Sequence, residues 1–225
     1  METVEYAPGR LVDVFGDPAQ PAVLLWHGQQ SNARAACRPL ADLLAGHGRG
    51  VVVPDWNSHA DDGGRADLLR SLDFARDRIE DPDGLVLVGW SLGGAAAAGL
   101  TTQASHYGVR FAHTVCLAGA FLVADPISGK QPAAGLPSEE NRTPFTLLHG
   151  LADDAVPVAW SRQFASALEH NGWPVQVVEL PADHGSIAGA VYDPVADRYS
   201  AAEDGDTLAV AADVAARIAA VSVAR

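Results

Sequence analysis

The chain has 225 residues, 48% of them hydrophobic, and a formal net charge of −13 from 15 Lys and Arg against 28 Asp and Glu. That length suits one α/β domain, 1–225, with apolar mass enough for a sizeable core. The acidic balance disfavours nucleic acid and anionic membrane surfaces as partners, and no run of about eighteen apolar residues offers a transmembrane span.

The N-terminus, Met1-Glu2-Thr3-Val4-Glu5, is acidic and lacks a signal-peptide pattern, so a soluble, cytoplasmic protein is expected. Val4 to Tyr6 and Leu11 to Phe15 read as short strands around Pro8-Gly9, an antiparallel hairpin at a sheet edge, with Gly16-Asp17-Pro18 as a turn. Ala22 to Trp26 is an apolar run of central-strand character that ends at His27-Gly28. A polar loop follows, with Ser31 or Asn32 as cap for a helix from Arg34 to His47 that carries Leu40, Leu43 and Leu44 on one face. Val51 to Pro54 is the next buried strand, and Ala66 to Ile79 the next helix.

Leu85 to Val88 is a strand that breaks into Gly89-Trp90-Ser91-Leu92-Gly93 and then a helix reaching about His106. Ala112 to Leu117 is a strand, and Ala124 to Arg142, rich in Pro, Gly and Ser, a loop. Phe145 to Leu148 is a strand ending at His149-Gly150, Val158 to Asn171 a helix, and Val175 to Leu180 a strand followed by the loop Pro181 to Gly185. The stretch to Ala201 has no regular pattern, and a last helix spans about Asp204 to Val221. A hairpin followed by five or six strand–helix alternations implies a mainly parallel sheet with helices on both faces. Functional groups then collect at the carboxyl ends of the strands. Cys116 reads as a small core residue and Cys37 as helical; they form no metal-ligand pattern.

G-x-S-x-G between a strand and a helix is the setting of an exposed nucleophile on a sharp turn. Ser91 needs a base, and that base an orienting carboxylate. Both occur at later strand ends, as Asp153 in His149-Gly150-Leu151-Ala152-Asp153-Asp154-Ala155-Val156-Pro157 and as His184 in Asp183-His184-Gly185. Of the eight histidines, His184 alone stands one strand after an acid turn, 31 residues beyond Asp153. His27 and His149 each follow a strand and precede a glycine, and Asp183 and Asp154 read as turn or capping carboxylates.

These pieces, with Trp26-His27-Gly28-Gln29, make the chain resemble the α/β-hydrolase fold family over nearly its whole length, in the order Ser, Asp, His. The resemblance implies a triad of Ser91, Asp153 and His184, since the family pattern G-x-x-D-x-x-V-P runs from Gly150 to Val156-Pro157; Asp154, one residue on, is the alternative acid. It also implies oxyanion donors in the backbone N–H groups of Leu92 and Gln29, with Gln30 as alternative to Gln29. The glycine-rich H-G-G-G form of hormone-sensitive-lipase-like esterases is missing, which argues against that subgroup.

The interval Gly119 to Thr143 is too short for a cap domain and carries no amphipathic lid, so an open site is expected and lipase action disfavoured. The layout is similar to dienelactone-hydrolase-like proteins, small carboxylesterases and acyl thioesterases, although dienelactone hydrolase itself uses cysteine where this chain has Ser91. The expected function is hydrolysis of small-molecule carboxylic esters or thioesters of small to medium acyl groups through an acyl-enzyme on Ser91, by a monomer or homodimer, with no metal and no organic cofactor. Perhydrolase, haloperoxidase-like or amidase activity on the same triad, or a non-catalytic ligand-binding role, are the alternatives. Trp56-Asn57-Ser58-His59, Ala120-Phe121-Leu122-Val123, Ile187 and Tyr192 are expected to shape the pocket, with Trp90 packed beneath the turn.

Overall fold

The computed structural model describes residues 1–17, 22–137 and 142–221. Pro18 of the first turn, residues 138–141 of the long loop and residues 222–225 lie outside them. The N-terminal hairpin forms as read, with β1 (Glu2–Ala7) antiparallel to β2 (Arg10–Phe15). The remaining sheet strands are β3 (Ala22–Trp26), β4 (Gly50–Pro54), β5 (Val86–Trp90), β6 (His113–Leu117), β7 (Phe145–Gly150) and β8 (Val175–Leu180). They order as β1-β2-β4-β3-β5-β6-β7-β8, parallel from β4 to β8, with β2 antiparallel to β4.

The helices are α1 (Arg38–Gly46), α2 (Arg65–Arg76), α3 (Leu92–Thr102), the short α4 (Ala104–Tyr107), α5 (Val158–His170) and α6 (Gly205–Ala220). Strand side chains alternate between the faces. Val86, Val88 and Trp90 of β5 join Leu40 and Leu44 of α1 and Val214 and Ile218 of α6, while Leu87 joins Leu68 and Leu72 of α2 and Ala96 and Ala97 of α3. Phe164 of α5 packs with Phe145 and Phe121. Cys37 and Cys116 are free, buried and in different core clusters, so each is a packing residue. No helix among the described residues is long and apolar enough to cross a membrane.

Two local readings are corrected. The first helix begins as a 3₁₀ turn, Arg34–Cys37, and neither Ser31 nor Asn32 caps it. Asn32 stands at φ 55° with its Oδ1 accepting from Arg10 (2.9 Å), and Ser31 donates to Asn57 Oδ1 (2.5 Å), so long-range partners took both polar side chains. The stretch before Ala201, patternless in sequence, holds a 3₁₀ turn (Ser186–Ala188) and a second antiparallel hairpin, β9 (Ala190–Asp193) with β10 (Arg198–Ala201). Most of its residues are exposed, so hydrophobic alternation had no buried face to mark. Residues 119–137 form turns and loop with no regular helix or strand, leaving the carboxyl ends of the strands without a cap domain.

Candidate active site

β3 and β5 are sheet neighbours whose following helices lie on opposite faces, so a crevice opens where their carboxyl ends diverge. Ser91 sits at the end of β5 with φ 57° and ψ −118°, a conformation that L-residues rarely adopt. The two flanking glycines make the turn sterically possible. A Cβ on Gly89 would collide with the Gly93 carbonyl, and one on Gly93 with the carbonyls of Trp26 and His27. Gly28, at the end of β3, lies where a Cβ would come within 3.1 Å of Ser91 Cβ. The turn is locked by Ser91 N–H donating to Leu117 O (2.8 Å) and by Ala95 and Ala120 N–H donating to Ser91 O (3.1 Å each).

Asp153 and His184 meet across the ends of β7 and β8. His184 Nδ1 donates to Asp153 Oδ2 at 2.8 Å. A carboxylate only accepts, so a ring hydrogen is on Nδ1, which in the neutral imidazole puts the lone pair on Nε2. The other Asp153 oxygen accepts from the N–H groups of Ala155 (2.9 Å) and Val156 (2.8 Å). A second imidazole, His149 Nε2, lies 3.3 Å from Asp153 Oδ2 while also facing Val156 O at 2.9 Å. Burial opposes ionisation of Asp153, but the bonds from His149, His184 and Val156 outweigh it and hold the carboxyl well below the usual range. Asp154 is exposed, and Asp183 spends Oδ1 on the N–H groups of Gly185 (2.9 Å) and Ser186 (2.7 Å).

Ser91 and His184 line one cavity of about 320 Å³, with Gly28, Gln29, Gln30, Leu92, Trp90, Ala120, Val123, Ala155, Val156, Trp160 and Tyr199. Of the three residues read as a triad from the sequence, Ser91 and His184 line this cavity, and Asp153 stands behind it, bonded to His184. Gln30 N–H is spent on Gly28 O (2.8 Å), whereas the N–H groups of Gln29 and Leu92 donate to nothing among the described residues. Leu92 opens α3, so its N–H is one of the unsatisfied donors at a helix start. His27 is fully buried and holds the neighbouring loop. Its Nδ1 donates to Gly28 O (2.8 Å), its Nε2 accepts from Ala33 (3.2 Å) and Trp56 (3.3 Å), and burial pushes its pKa down to about 4.

Several pocket readings change. Trp56 is fully buried, stacked on His27 at 5.2 Å, and does not reach the cavity; Ile187 is core; Tyr192 is on the exposed hairpin. Ala120 and Val123 do line the cavity, while Phe121 stacks on Phe164 beneath it. Trp90 is buried, its Nε1 donating to His184 O (2.8 Å), and it also borders the cavity instead of only packing beneath the turn. Val156, Trp160 and Tyr199 were not singled out. Val156 belongs to the acid-turn motif, which could have pointed to it, but Tyr199 had no local signal. A larger cavity of about 870 Å³ lies at the amino ends of β5 to β7, where Asp81, Asp83 and Arg110 line it without a nucleophile–base pair. Among the described residues no three His, Cys, Asp or Glu side chains group as a metal site.

The fold is shared with solved structures. Esterase 2 of the Planctomycetes species Thermogutta terrifontis, in its native form, is 19% identical with a TM-score of 0.70, covering 97% of this chain and 89% of its own. Its propionate-bound form is 20% identical with a TM-score of 0.68, covering 96% and 94%. MGS-M1, an alpha/beta hydrolase enzyme from a Medee basin deep-sea metagenome library, is 19% identical with a TM-score of 0.65, covering 84% of each chain. No protein of curated function matches the sequence. The sequence profile of the alpha/beta hydrolase family matches residues 23–223, a span that takes in the serine turn, the acid turn and the histidine loop. With that match over nearly the whole chain and this sheet beneath it, the chain belongs to the alpha/beta hydrolase family.

Proposed function

We propose that the protein is a serine hydrolase that cleaves carboxylic esters of short acyl groups through an acyl-enzyme on Ser91. The observation that carries this reading is that the positive-φ Ser91 and His184 line one cavity while His184 is held from behind by a 2.8 Å bond to the Asp153 carboxylate, whose side chain is shut from solvent. His184 Nε2 takes the Ser91 proton as Oγ attacks the ester carbonyl. The negative charge that develops on the carbonyl oxygen accepts hydrogen bonds from Gln29 and Leu92 N–H, while Asp153 stabilises the imidazolium. The imidazolium then protonates the departing alkoxide, and His184 activates water to release the acid and restore Ser91.

The wall of Ala120, Val123, Val156, Trp160 and Tyr199 is apolar or aromatic, and among the described residues no ionisable acid or base other than the His184 ring and the Tyr199 phenol lines the cavity. That favours a neutral acyl group over one bearing a carboxylate or phosphate. Thermogutta terrifontis esterase 2, similar in fold, has structures with propionate and butyrate bound and with tabun, sarin and paraoxon adducts, which suits short acyl groups and a serine nucleophile here.

The test is a panel of p-nitrophenyl esters from acetate to palmitate, with acyl-CoA thioesters beside it, on wild type and Ser91→Ala. Fastest turnover is expected at acetate to butyrate, with loss of at least about 10⁴-fold in Ser91→Ala and labelling of Ser91 by a fluorophosphonate. Turnover that survives in Ser91→Ala overturns the assignment, and faster thioester than ester turnover replaces the ester reading.

A further inference from the structure

The β9–β10 hairpin lies between the histidine loop and α6, and one residue of it touches both halves of the reacting centre. Tyr199, on β10, donates its main-chain N–H to Gln30 Oε1 at 3.1 Å, across 169 residues of sequence. Gln30 follows Gln29, and both line the cavity shared with Ser91. The Tyr199 ring lies 5.8 Å from the His184 ring and meets Trp90 edge-on at 4.9 Å and 83°. Trp90 in turn donates to the His184 carbonyl (2.8 Å).

The residue after His184 also makes room for this ring. A Cβ on Gly185 would come 3.1 Å from Tyr199 Cε1 and 2.5 Å from the Ala190 carbonyl oxygen. The hairpin root is pinned to the same loop, with Ala190 N–H donating to Gly185 O (3.0 Å) and Ala202 N–H to Gly189 O (2.9 Å). The tip is free of such duties, with Val195 94% exposed.

We infer that the hairpin positions the reacting centre: the Tyr199 ring sets the His184 imidazole, and the Tyr199 N–H, through Gln30, sets the loop that carries the Gln29 donor. The inference rests on Ser91 and His184 acting as nucleophile and base. Asp153 fixes His184 at one ring atom only, which leaves rotation about that bond to be limited by packing, and Tyr199 and Trp90 are the rings that pack there. A neutral hydrogen bond and ring contacts of this kind add little to global stability, whereas a small displacement of a base or an oxyanion donor costs rate heavily.

The test compares Tyr199→Ala, Tyr199→Phe, Gln30→Met and the tip control Val195→Ala by kcat and KM on p-nitrophenyl butyrate and by the rate of fluorophosphonate labelling. Tyr199→Ala and Gln30→Met are each expected to lower kcat and labelling rate by about tenfold to a hundredfold, with KM moved less than about threefold. Tyr199→Phe keeps the ring and the backbone donor and is expected to recover most of the loss. Gln30→Met removes no buried mass, so it decides the matter should Tyr199→Ala fold poorly. Raised KM at unchanged kcat would make Tyr199 a pocket wall only and overturn the inference, as would wild-type kcat in Gln30→Met. A wild type that resists labelling overturns instead the serine-hydrolase reading beneath it.

Discussion

Asp153 and Asp154 differ by one position and have opposite surroundings. Asp153 has a side chain shut from solvent and accepts from the His184 imidazole and two main-chain N–H groups, with the His149 ring nitrogen 3.3 Å away; Asp154 faces water. The resemblance to the family pattern running from Gly150 to Val156-Pro157 implies Asp153 over Asp154, but burial and partners are tertiary properties. Asp153→Asn is expected to lower kcat by about 10⁴-fold, because an amide in that place stabilises the wrong His184 tautomer. Asp154→Asn is expected to stay within about twofold of wild type, as exposed substitutions away from the chemistry do. Steady-state kinetics on a p-nitrophenyl ester separates them, and equal losses would move the acid. The proposed oxyanion donors are a similar case. Sequence left Gln29 and Gln30 both open; the Gln30 N–H is engaged at 2.8 Å and its side chain holds Tyr199, leaving Gln29 with the free donor.

Among the elements, the serine turn was the most legible, because its requirements are local. Two glycines at fixed offsets, a buried strand before them and a helix after them are all written within about ten residues. Gly93→Ala is expected to destabilise the protein by about 1–3 kcal/mol, since the new methyl meets main-chain carbonyls of β3 and its end, which cannot rotate away. It is also expected to abolish labelling of Ser91. Thermal unfolding and probe labelling on the same sample check both, and an unshifted midpoint would mean the turn relaxes more than its packing implies. The β9–β10 hairpin is the opposite case. Exposed on both faces over much of its length, it has no hydrophobic period to read, and its contacts with Gln30 and His184 come from distant sequence. The helical segment does begin at Arg34, but its expected cap fails for the same reason, since Ser31 and Asn32 find partners on the Asn57 loop and β2 instead of the helix.

Over the whole molecule, one buried and one half-buried histidine make stability depend on pH. Burial pushes His113, at the start of β6, and His27, at the end of β3, down to about 4 from 6.5. Between those values the unfolded chain takes up protons that the folded chain does not, so stability is full above about pH 6.5 and declines as pH falls toward 4. Asp55 and Asp125, whose carboxyls burial pushes up, act in the opposite sense. His113→Gln isolates one contribution and can still reach Thr146, the hydroxyl that His113 Nε2 meets at 2.9 Å. Urea unfolding across that window is expected to show a shallower loss of stability in the variant than in wild type. Parallel curves would mean that His113 protonates in the folded protein as readily as in the unfolded one.

What the amino-acid order determined by itself is whatever is local or periodic: the strands with both faces buried, the serine turn, the acid turn and the histidine loop, and from their alternation the parallel sheet that brings strand ends together. Those features were readable because a buried strand, a tight turn or a helix face restricts residue type at neighbouring positions. Only the tertiary structure decided which Asp153 oxygen meets His184, which of two glutamines keeps a free N–H, and that a hairpin near residue 200 closes the wall of a cavity begun at residue 28. Each of those is a contact between segments far apart in the chain, and no local pattern carries the distance between them.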